Sequence, residues 1–459
     1  METQCSCDIF DQQLAVGEHP LETNSSALSS IRYAKTTCMT QTSTNNRNTR
    51  KDFSETCSAV MQIESLSEND QIKYGAQPEH KYSISHKIDV LLTMATACRT
   101  EDGNVDAVGM NSLLDTIEEI DNTNDALINF VGVALGNAKI DLIEAPKGGA
   151  RGRSGASIYF VYNASNMIIA VSKVFSRSEE LVRELSSLAR LRSPEFTHFT
   201  IPAPLAAAKI KDANDTAVLV SKVAQGKSIV DLIDSVNRST MVSDKQNLLN
   251  QLRKAVVEIA RAFAQLHTRP DNSGDSLSNN YLSVQIDRAR HLASVIAKTY
   301  VNYPDIIQLD MDEVLRQLEQ VIKECRSDRS VSAIVHGDAH PGNLFWDFSK
   351  GVTFIDTPSL HYSMDSKGNP IGAPEDDVAN FERRFVQYCR QASIEENEIE
   401  SLRNAFEQEY HNCNGATLSK KKLKLFGLRY VFGDLIQACK RDCSKDIRAA
   451  IDSLKQVLG

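Results

Sequence analysis

The sequence predicts an α+β protein with two lobes, a small β-rich lobe over residues 139–227 and a larger helical lobe over residues 228–459. In the first segment, short apolar runs (IDLIEAP, ASIYFVYN, MIIAVSKVF) alternate with turn signals (KGGARGRSG, NASN), which is typical of strands. In the second, longer runs such as LRKAVVEIARAFAQLH and MDEVLRQLEQVIKEC repeat apolar residues at helical spacing. Only residues 331–360 interrupt this helical pattern, and their short, turn-rich apolar runs predict a hairpin-like insert.

One helix and one further strand complete the predicted β-rich lobe. The run SRSEELVRELSSLARL places Leu181, Leu185 and Leu188 along one helical face. The run AVLVSKV predicts a strand that crosses to the helical lobe.

The chain before residue 139 divides into two segments. Residues 1–84 are rich in Ser, Thr and Asn and lack apolar periodicity, which predicts a disordered leader. Residues 23–51 have the basic, acid-free composition of a transit peptide, but they start too late in the chain for that interpretation. Residues 85–138 contain apolar residues at helical spacing and predict a helical N-terminal extension.

Composition excludes several classes of protein. The formal net charge of −9 argues against a nucleic-acid partner, whose binding surface would be basic. No apolar stretch approaches the length of a membrane span. The ten cysteines form no C-x-x-C pair, which favours free thiols in a reducing compartment over a zinc site and predicts a cytoplasmic protein. The oligomeric state stays open.

The strongest chemical signal is the segment from His336 to Asn343 (HGDAHPGN), followed by Ile355 and Asp356. Phosphoryl transfer from ATP needs positioning and charge neutralisation more than covalent help from the protein. One carboxylate must orient the acceptor hydroxyl, while an amide and a second carboxylate hold Mg²⁺ against the phosphates. Asp338, Asn343 and Asp356 supply this set and predict ATP and Mg²⁺ as cofactors.

These residues resemble the catalytic loop of the aminoglycoside phosphotransferase and choline kinase-like families, which share the protein-kinase-like fold. His336, Asp338 and Asn343 match the H-x-D-x-x-x-x-N loop, and Asp356 matches the metal-binding Asp on the next strand. The resemblance, expected over about residues 140–410, implies that Asp338 is the catalytic base. It implies that Asn343 and Asp356 are magnesium ligands.

A lysine–glutamate pair is expected upstream of the loop. In kinase-like folds a strand lysine paired with a glutamate of the following helix anchors the α- and β-phosphates. Lys173 and Glu184 stand in these positions, with Glu180 as the alternative acid. Either residue alone would be better explained as an ordinary surface charge, and it is the pair in this order that favours the phosphate-binding role.

Two further segments are expected to contact the nucleotide. Glycines of the KGGARGRSGAS segment, Gly149 and Gly152 among them, would let backbone N–H groups approach a phosphate, although a flexible hairpin is the alternative. The segment is not a Walker A motif. By resemblance, backbone groups from Ser221 to Val223 would meet the adenine.

Several other polar residues are better explained by structure than by catalysis. His267, in the run ARAFAQLHTRP, is expected to be structural. His340 is expected to brace its loop more readily than to touch substrate. Asp377, in GAPEDDVANF, matches an acid that braces the catalytic loop in the resembled families. The lysines at 420–424 are expected to form a solvated helix face.

Departures from protein kinases favour a small-molecule acceptor. Asp356 is followed by Thr357 and Pro358 instead of Phe-Gly, and Gly337 stands where protein kinases usually carry Arg. The leading hypothesis is therefore a kinase acting on a small-molecule hydroxyl. A protein or lipid kinase, suggested by the long N-terminal extension, and a nucleotide-binding pseudokinase or interaction module remain as alternatives.

Overall fold

The computed structural model describes residues 78–98, 105–145, 156–211, 213, 215–268, 279–300, 302–303, 305–328, 331–365, 367–413 and 415–459. These residues divide into two compact units. The first contains residues 78–95, 107–185 and 202–223, and the second contains residues 96–106, 186–201 and 224–459. The predicted α+β class with a β-rich part and a larger helical part is confirmed.

The described residues form ten strands and twelve α-helices. The strands are β1 (Glu118–Ile120), β2 (Ile140–Glu144), β3 (Ser157–Asn163), β4 (Ile168–Phe175), β5 (Phe199–Thr200), β6 (Pro204–Ile210), β7 (Ala217–Ser221), β8 (Lys227–Ser228), β9 (Leu344–Asp347) and β10 (Gly351–Phe354). The helices are α1 (Pro78–Ala97), α2 (Ala107–Thr116), α3 (Asn124–Ala134), α4 (Ser178–Leu191), α5 (Ile229–Arg238), α6 (Val242–His267), α7 (Asn279–Val295), α8 (Met311–Arg326), α9 (Pro374–Gln391), α10 (Glu396–Asn412), α11 (Lys420–Lys440) and α12 (Ser444–Leu458).

The first unit is built on a six-stranded sheet in the order β1-β6-β7-β4-β3-β2. Along β4, Ala170, Ser172 and Val174 are buried while the residues between them are half-buried, the alternation that a strand with one covered face requires. Helix α3 covers part of this sheet through Phe130 and Val131, which belong to the same core cluster as Ala170 and Val174.

The predicted helical extension, residues 85–138, is joined to this sheet. It holds α1 in part, α2 and α3, and also the unpredicted strand β1, which pairs in parallel with β6. The sequence Glu118-Glu119-Ile120 gave no strand signal because glutamate is depleted in strands. Of the predicted leader, residues 1–77 lie outside the described residues, and α1 begins at Pro78 inside the predicted leader.

The second unit contains a four-stranded sheet, β5-β10-β9-β8, packed among helices. Strands β9 and β10 form the predicted hairpin, with Asp347 paired to Gly351 at the turn. The core contains Phe263 of α6, whose ring contacts those of Phe354 of β10, Phe381 of α9 and Phe406 of α10. This core joins the strand that leads to Asp356 with the helix that carries Asp377.

The lysine run at the start of α11 is only partly solvated. Lys420 and Lys421 are exposed, as predicted, but Lys422 is buried and its Nζ donates to the Asp328 carbonyl at 3.1 Å. Burial lowers the pKa of Lys422. The prediction was wrong for this residue because helical periodicity turns every third or fourth position toward the core. Among the helices that the structure describes, none has the length and apolar content needed to cross a membrane.

Candidate active site

The loop from His336 to Asn343 is held at its start by one carboxylate. Asp377, in the first turn of α9, accepts the backbone N–H of His336 on Oδ2 at 2.7 Å and that of Gly337 on Oδ1 at 2.8 Å. Gly337 has φ +77°, and a Cβ there would lie 2.8 Å from the Cβ of Ser359. Glycine is therefore required at this position both by its backbone conformation and by its neighbour. Asp377 braces the loop, as expected.

His267 supports Asp377 from the end of α6. Its Nε2 lies 3.2 Å from Asp377 Oδ2, and its Nδ1 lies 2.9 Å from the hydroxyl of Tyr410. Because a carboxylate can only accept, Nε2–H is the donor and Nδ1 accepts from the tyrosine when the ring is neutral. His267 is 1% exposed, which fits the structural role predicted for it.

Asp338 lies at the centre of the loop and is held from two sides. Its backbone carbonyl accepts from Asn343 Nδ2 at 3.0 Å, and its Oδ1 accepts from Asn380 Nδ2 at 3.3 Å. Its side chain remains 23% exposed, so a substrate can reach the carboxylate. His340 Nδ1 accepts the N–H of Gly342 at 3.1 Å, while His340 Nε2 lies 4.0 Å from Asp338 Oδ2. The turn contact supports the predicted loop-bracing role of His340.

Asp356 is linked to the loop through the backbone. The N–H of Ile355 donates to the Asn343 carbonyl at 3.0 Å, and His336 Nε2 donates to the Ile355 carbonyl at 2.9 Å. Asp356 itself has φ +57°, a conformation that costs a non-glycine residue about 1 kcal/mol or more and is concentrated at functional sites. Asp338 and Asn343 thus share a hydrogen bond, and a backbone bond joins Asn343 to the residue before Asp356. We call Asp338, Asn343 and Asp356 the loop cluster.

The donor set of this cluster fits Mg²⁺. A carbonyl oxygen cannot donate, so the Asn343 atom next to the Asp338 carbonyl must be Nδ2, which leaves Oδ1 as an acceptor. One amide oxygen and two carboxylates are hard oxygen donors of the kind that Mg²⁺ prefers. In the described part of the chain there is no group of three or more His, Cys, Asp or Glu that could hold a metal ion. Asn343 and Asp356 as magnesium ligands stay a prediction.

The predicted lysine–glutamate pair forms within the first unit. Lys173 Nζ of β4 lies 3.0 Å from Glu184 Oε2 of α4, and the two side chains are only 13% and 7% exposed. Glu180, the alternative acid, instead pairs with Arg177 at 2.7 Å. A lysine and a glutamate withdrawn from water in this way stabilise each other, and neither is an ordinary surface charge.

Of the other two segments predicted to contact the nucleotide, the structure describes only the one from Ser221 to Val223. Gly149 and Gly152 lie outside the described residues. Ser221 closes β7, where it pairs with Val171 of β4 and Pro204 of β6, and Val223 follows in irregular structure. Contact of the segment from Ser221 to Val223 with adenine stays a prediction.

A buried polar network beside the loop was not predicted. Arg429 of α11 donates to Asp376 from Nη2 at 2.6 Å, and Tyr281 and Tyr430 also donate to the same carboxylate, at 2.8 and 2.5 Å. Tyr430 lies 3.3 Å from the Gly337 carbonyl, so the network touches the loop. Burial raises the pKa of Asp376, and Arg429 opposes this rise. In the sequence, Asp376, the second acid of the EDD run, is the one residue that could have indicated this network. Nothing in the sequence indicated that Asn380, three positions after Asp377, would contact the loop.

Comparison with known proteins finds a family match for part of the chain. Residues 151–356 match the family model described as "Phosphotransferase enzyme family". A search of curated proteins finds no significant match. Similar solved structures include a thermostable mutant of aminoglycoside phosphotransferase APH(4)-Ia, which is 16% identical with a TM-score of 0.45, over 72% of this chain and 98% of that one. A Plasmodium vivax ethanolamine kinase is 14% identical with a TM-score of 0.44, over 73% of this chain and 84% of that one. A glucosamine kinase is 14% identical with a TM-score of 0.46, over 73% of this chain and 85% of that one.

The family match confirms the resemblance drawn from the sequence. The matched segment includes the Lys173–Glu184 pair and all three residues of the loop cluster, from Asp338 to Asp356. Residues 151–356 are therefore similar to the phosphotransferase enzyme family, and the protein is a kinase-type enzyme.

Proposed function

We propose that the protein transfers the γ-phosphoryl group of ATP to a hydroxyl of a small molecule, with Asp338 as the catalytic base. The observation that carries this proposal is the double attachment of Asp338, by its carbonyl to Asn343 and by its carboxylate to Asn380. A base must sit at a fixed place to receive or orient the acceptor proton, and this attachment supplies that order. The exposed part of the carboxylate accepts the proton of the acceptor hydroxyl.

Further residues would bind and orient the phosphates. Asn343 and Asp356 would hold Mg²⁺, which supplies neutralisation of the charge on the phosphate oxygens. Lys173, fixed by Glu184 at 3.0 Å, provides a positive charge for the α- and β-phosphates.

A small molecule is favoured as the acceptor over a protein by the segment that follows Asp356. Residues Pro358–Ser363 form a 3₁₀-helix, and Ser363 Oγ accepts the N–H of Val335 at 3.0 Å. Gly372 then pairs with Ala333, so before α9 begins the segment returns to the residues that lead into the catalytic loop. A segment anchored at these two points does not offer the long activation segment on which protein kinases depend.

The test is magnesium-dependent ATP turnover by wild type, Asp338→Ala and Asp338→Asn, followed as ADP release. We expect both variants to lose at least about 100-fold in kcat, since general-base catalysis and positioning are removed together. The matched control is Asp452→Ala, an exposed acid on α12, which should turn over ATP at the wild-type rate. Equal rates in wild type and both Asp338 variants would exclude the assignment of Asp338.

A further inference from the structure

The peptide group between Gly337 and Asp338 leads directly into the proposed base. Its N–H, which belongs to Asp338, donates to His336 Nδ1 at 3.3 Å. Its carbonyl, which belongs to Gly337, lies 3.3 Å from the hydroxyl oxygen of Tyr430. Because a peptide group is planar, these two contacts together fix its rotation and so the position from which the side chain of Asp338 starts.

Tyr430 approaches this carbonyl from α11 and is itself held in place. It is 9% exposed, and the guanidinium carbon of Arg429 lies 4.2 Å from the centre of its ring. Its hydroxyl oxygen lies 2.5 Å from Asp376 Oδ1. Burial raises the pKa of Tyr430 well above its ordinary value, so the hydroxyl keeps its hydrogen and acts as a donor.

The single hydrogen of this hydroxyl can serve the loop because Asp376 has other donors. Arg429 donates to Oδ1 from Nη2 at 2.6 Å and to Oδ2 from Nη1 at 3.3 Å. Tyr281 of α7 donates to Oδ2 at 2.8 Å. Since both carboxylate oxygens are already bonded, the Tyr430 hydrogen can be shared between Asp376 and the Gly337 carbonyl in a three-centre bond.

The two tyrosines of this network differ in one respect. Tyr281 and Tyr430 are both buried, and both bond to Asp376. In the part of the chain that the structure describes, Tyr430 also bonds to the catalytic loop, whereas Tyr281 makes no hydrogen bond to it. Removal of either hydroxyl therefore weakens the network, but only the removal of the Tyr430 hydroxyl releases the Gly337 carbonyl.

We propose that Tyr430 is a positioning residue for phosphoryl transfer, which holds the peptide group before Asp338 by its contact with the Gly337 carbonyl. This inference rests on the proposed function and adds to it a residue that acts through Asp338. A small displacement of a catalytic group slows the chemical step strongly, because the reacting atoms must meet in one geometry. Helix α11 would thus contribute to catalysis although it lies more than 80 residues beyond the loop.

The role of Tyr430 is tested with Tyr430→Phe, which removes the hydroxyl and keeps the ring. With MgATP and the full chain, we expect kcat for ADP release to fall about 10-fold while the KM for ATP changes less than about 2-fold. Tyr281→Phe is the matched control, because it removes a hydroxyl from the same carboxylate, and its kcat should stay within about 2-fold of wild type. Both variants should lower the midpoint of urea denaturation by similar amounts.

Hydrogen–deuterium exchange of the catalytic loop gives a readout without turnover. The amide of Asp338 belongs to the peptide group that Tyr430 contacts, so its protection depends on the order of that group. We expect the loop to exchange at least about 3-fold faster in Tyr430→Phe than in wild type, and at the wild-type rate in Tyr281→Phe.

Two outcomes would overturn the proposal. One is a wild-type kcat in Tyr430→Phe. The other is an equal loss of kcat in both tyrosine variants, which would show that the network supports the fold as a whole. The assay includes Asp338→Ala, so the proposed function and the role of Tyr430 can fail separately. A wild-type rate in Asp338→Ala would contradict the proposed function, whereas a low rate there with an unimpaired Tyr430→Phe would contradict only the role of Tyr430.

Discussion

The carboxylate of Asp338 is held in place by the side-chain amide of a residue that lies 42 positions further along the chain. Asn380 Nδ2 donates to Asp338 Oδ1 at 3.3 Å, and Asn380 is itself 2% exposed. A buried amide loses little freedom when it forms such a bond, since packing already fixes its rotamer. Asn380 is therefore a positioning residue, which fixes the direction in which the carboxylate of Asp338, the proposed base, points.

We expect Asn380→Ala to lower kcat about 10- to 100-fold while the KM for ATP changes less than about 2-fold, because a small displacement of the base impairs the chemical step and not nucleotide binding. Steady-state kinetics with ATP as the varied substrate measures both constants. The exposed Asn404→Ala on α10 serves as the control and should match wild type. A rise in KM at unchanged kcat would show that Asn380 acts on binding and not on Asp338.

Sequence reasoning found the residues of the catalytic loop but not the residues that position them. His336, Asp338 and Asn343 lie within eight consecutive residues (HGDAHPGN), so the spacing of the motif can be recognised directly in the sequence. Asn380 is a single polar residue in an amphipathic helix, where an isolated polar side chain usually marks a solvated position. Its proximity to Asp338 arises from the packing of α9 beside the loop, which single-residue patterns do not encode.

At the scale of elements, β-branched and aromatic residues predicted strands, and strands that lack them were missed. Strands β3 and β4 were predicted from their alternating β-branched and aromatic residues. Strand β6 (PLAAAKI) was missed because alanine has low strand propensity. It forms through its pairing with β7 and through burial of Ala208 in the core that Phe130 and Val131 of α3 share.

Helix α9 carries a half-buried acid, Glu382, whose ionisation opposes folding. Burial raises the pKa of Glu382 to about 7, Arg403 lowers it in part, and Glu407 and Glu400 of α10 raise it further. The folded chain thus holds this proton more tightly than the unfolded chain, whose glutamates titrate near 4.5. The contribution of Glu382 to the free energy of unfolding is greatest below pH 4.5 and is lost as the pH rises through about 7.

We therefore expect Glu382→Gln to increase the free energy of unfolding by about 1–3 kcal/mol at pH 8 and by much less at pH 5. Urea denaturation at the two pH values measures this difference. Glu396→Gln is the control of opposite sign, because Arg390 lowers the pKa of Glu396. A gain of the same size at both pH values for Glu382→Gln would show that packing, and not ionisation, is responsible.

At the scale of the whole molecule, the aromatic core of the second unit connects the separate parts of the site. Phe263 of α6 is fully buried, and its ring centroid lies 6.0 Å from that of Phe354, two residues before Asp356. It also lies 5.7 Å from the ring of Phe381, the neighbour of Asn380 in α9. One side chain therefore helps to hold both the strand that precedes the second acid and the helix that positions the first.

We expect Phe263→Ala to reduce the free energy of unfolding by about 3–5 kcal/mol, the usual cost of removing a buried aromatic side chain and leaving a cavity. Urea denaturation measures this loss, and kcat at a temperature where the variant is still folded should fall as well, because the helix and strand around the cavity shift. Phe348→Ala is the matched control: its side chain is 74% exposed, so stability should change by less than about 1 kcal/mol and kcat should not change. Loss of stability with an unaltered kcat in Phe263→Ala would mean that the core supports the fold without setting the geometry of Asp338 and Asp356.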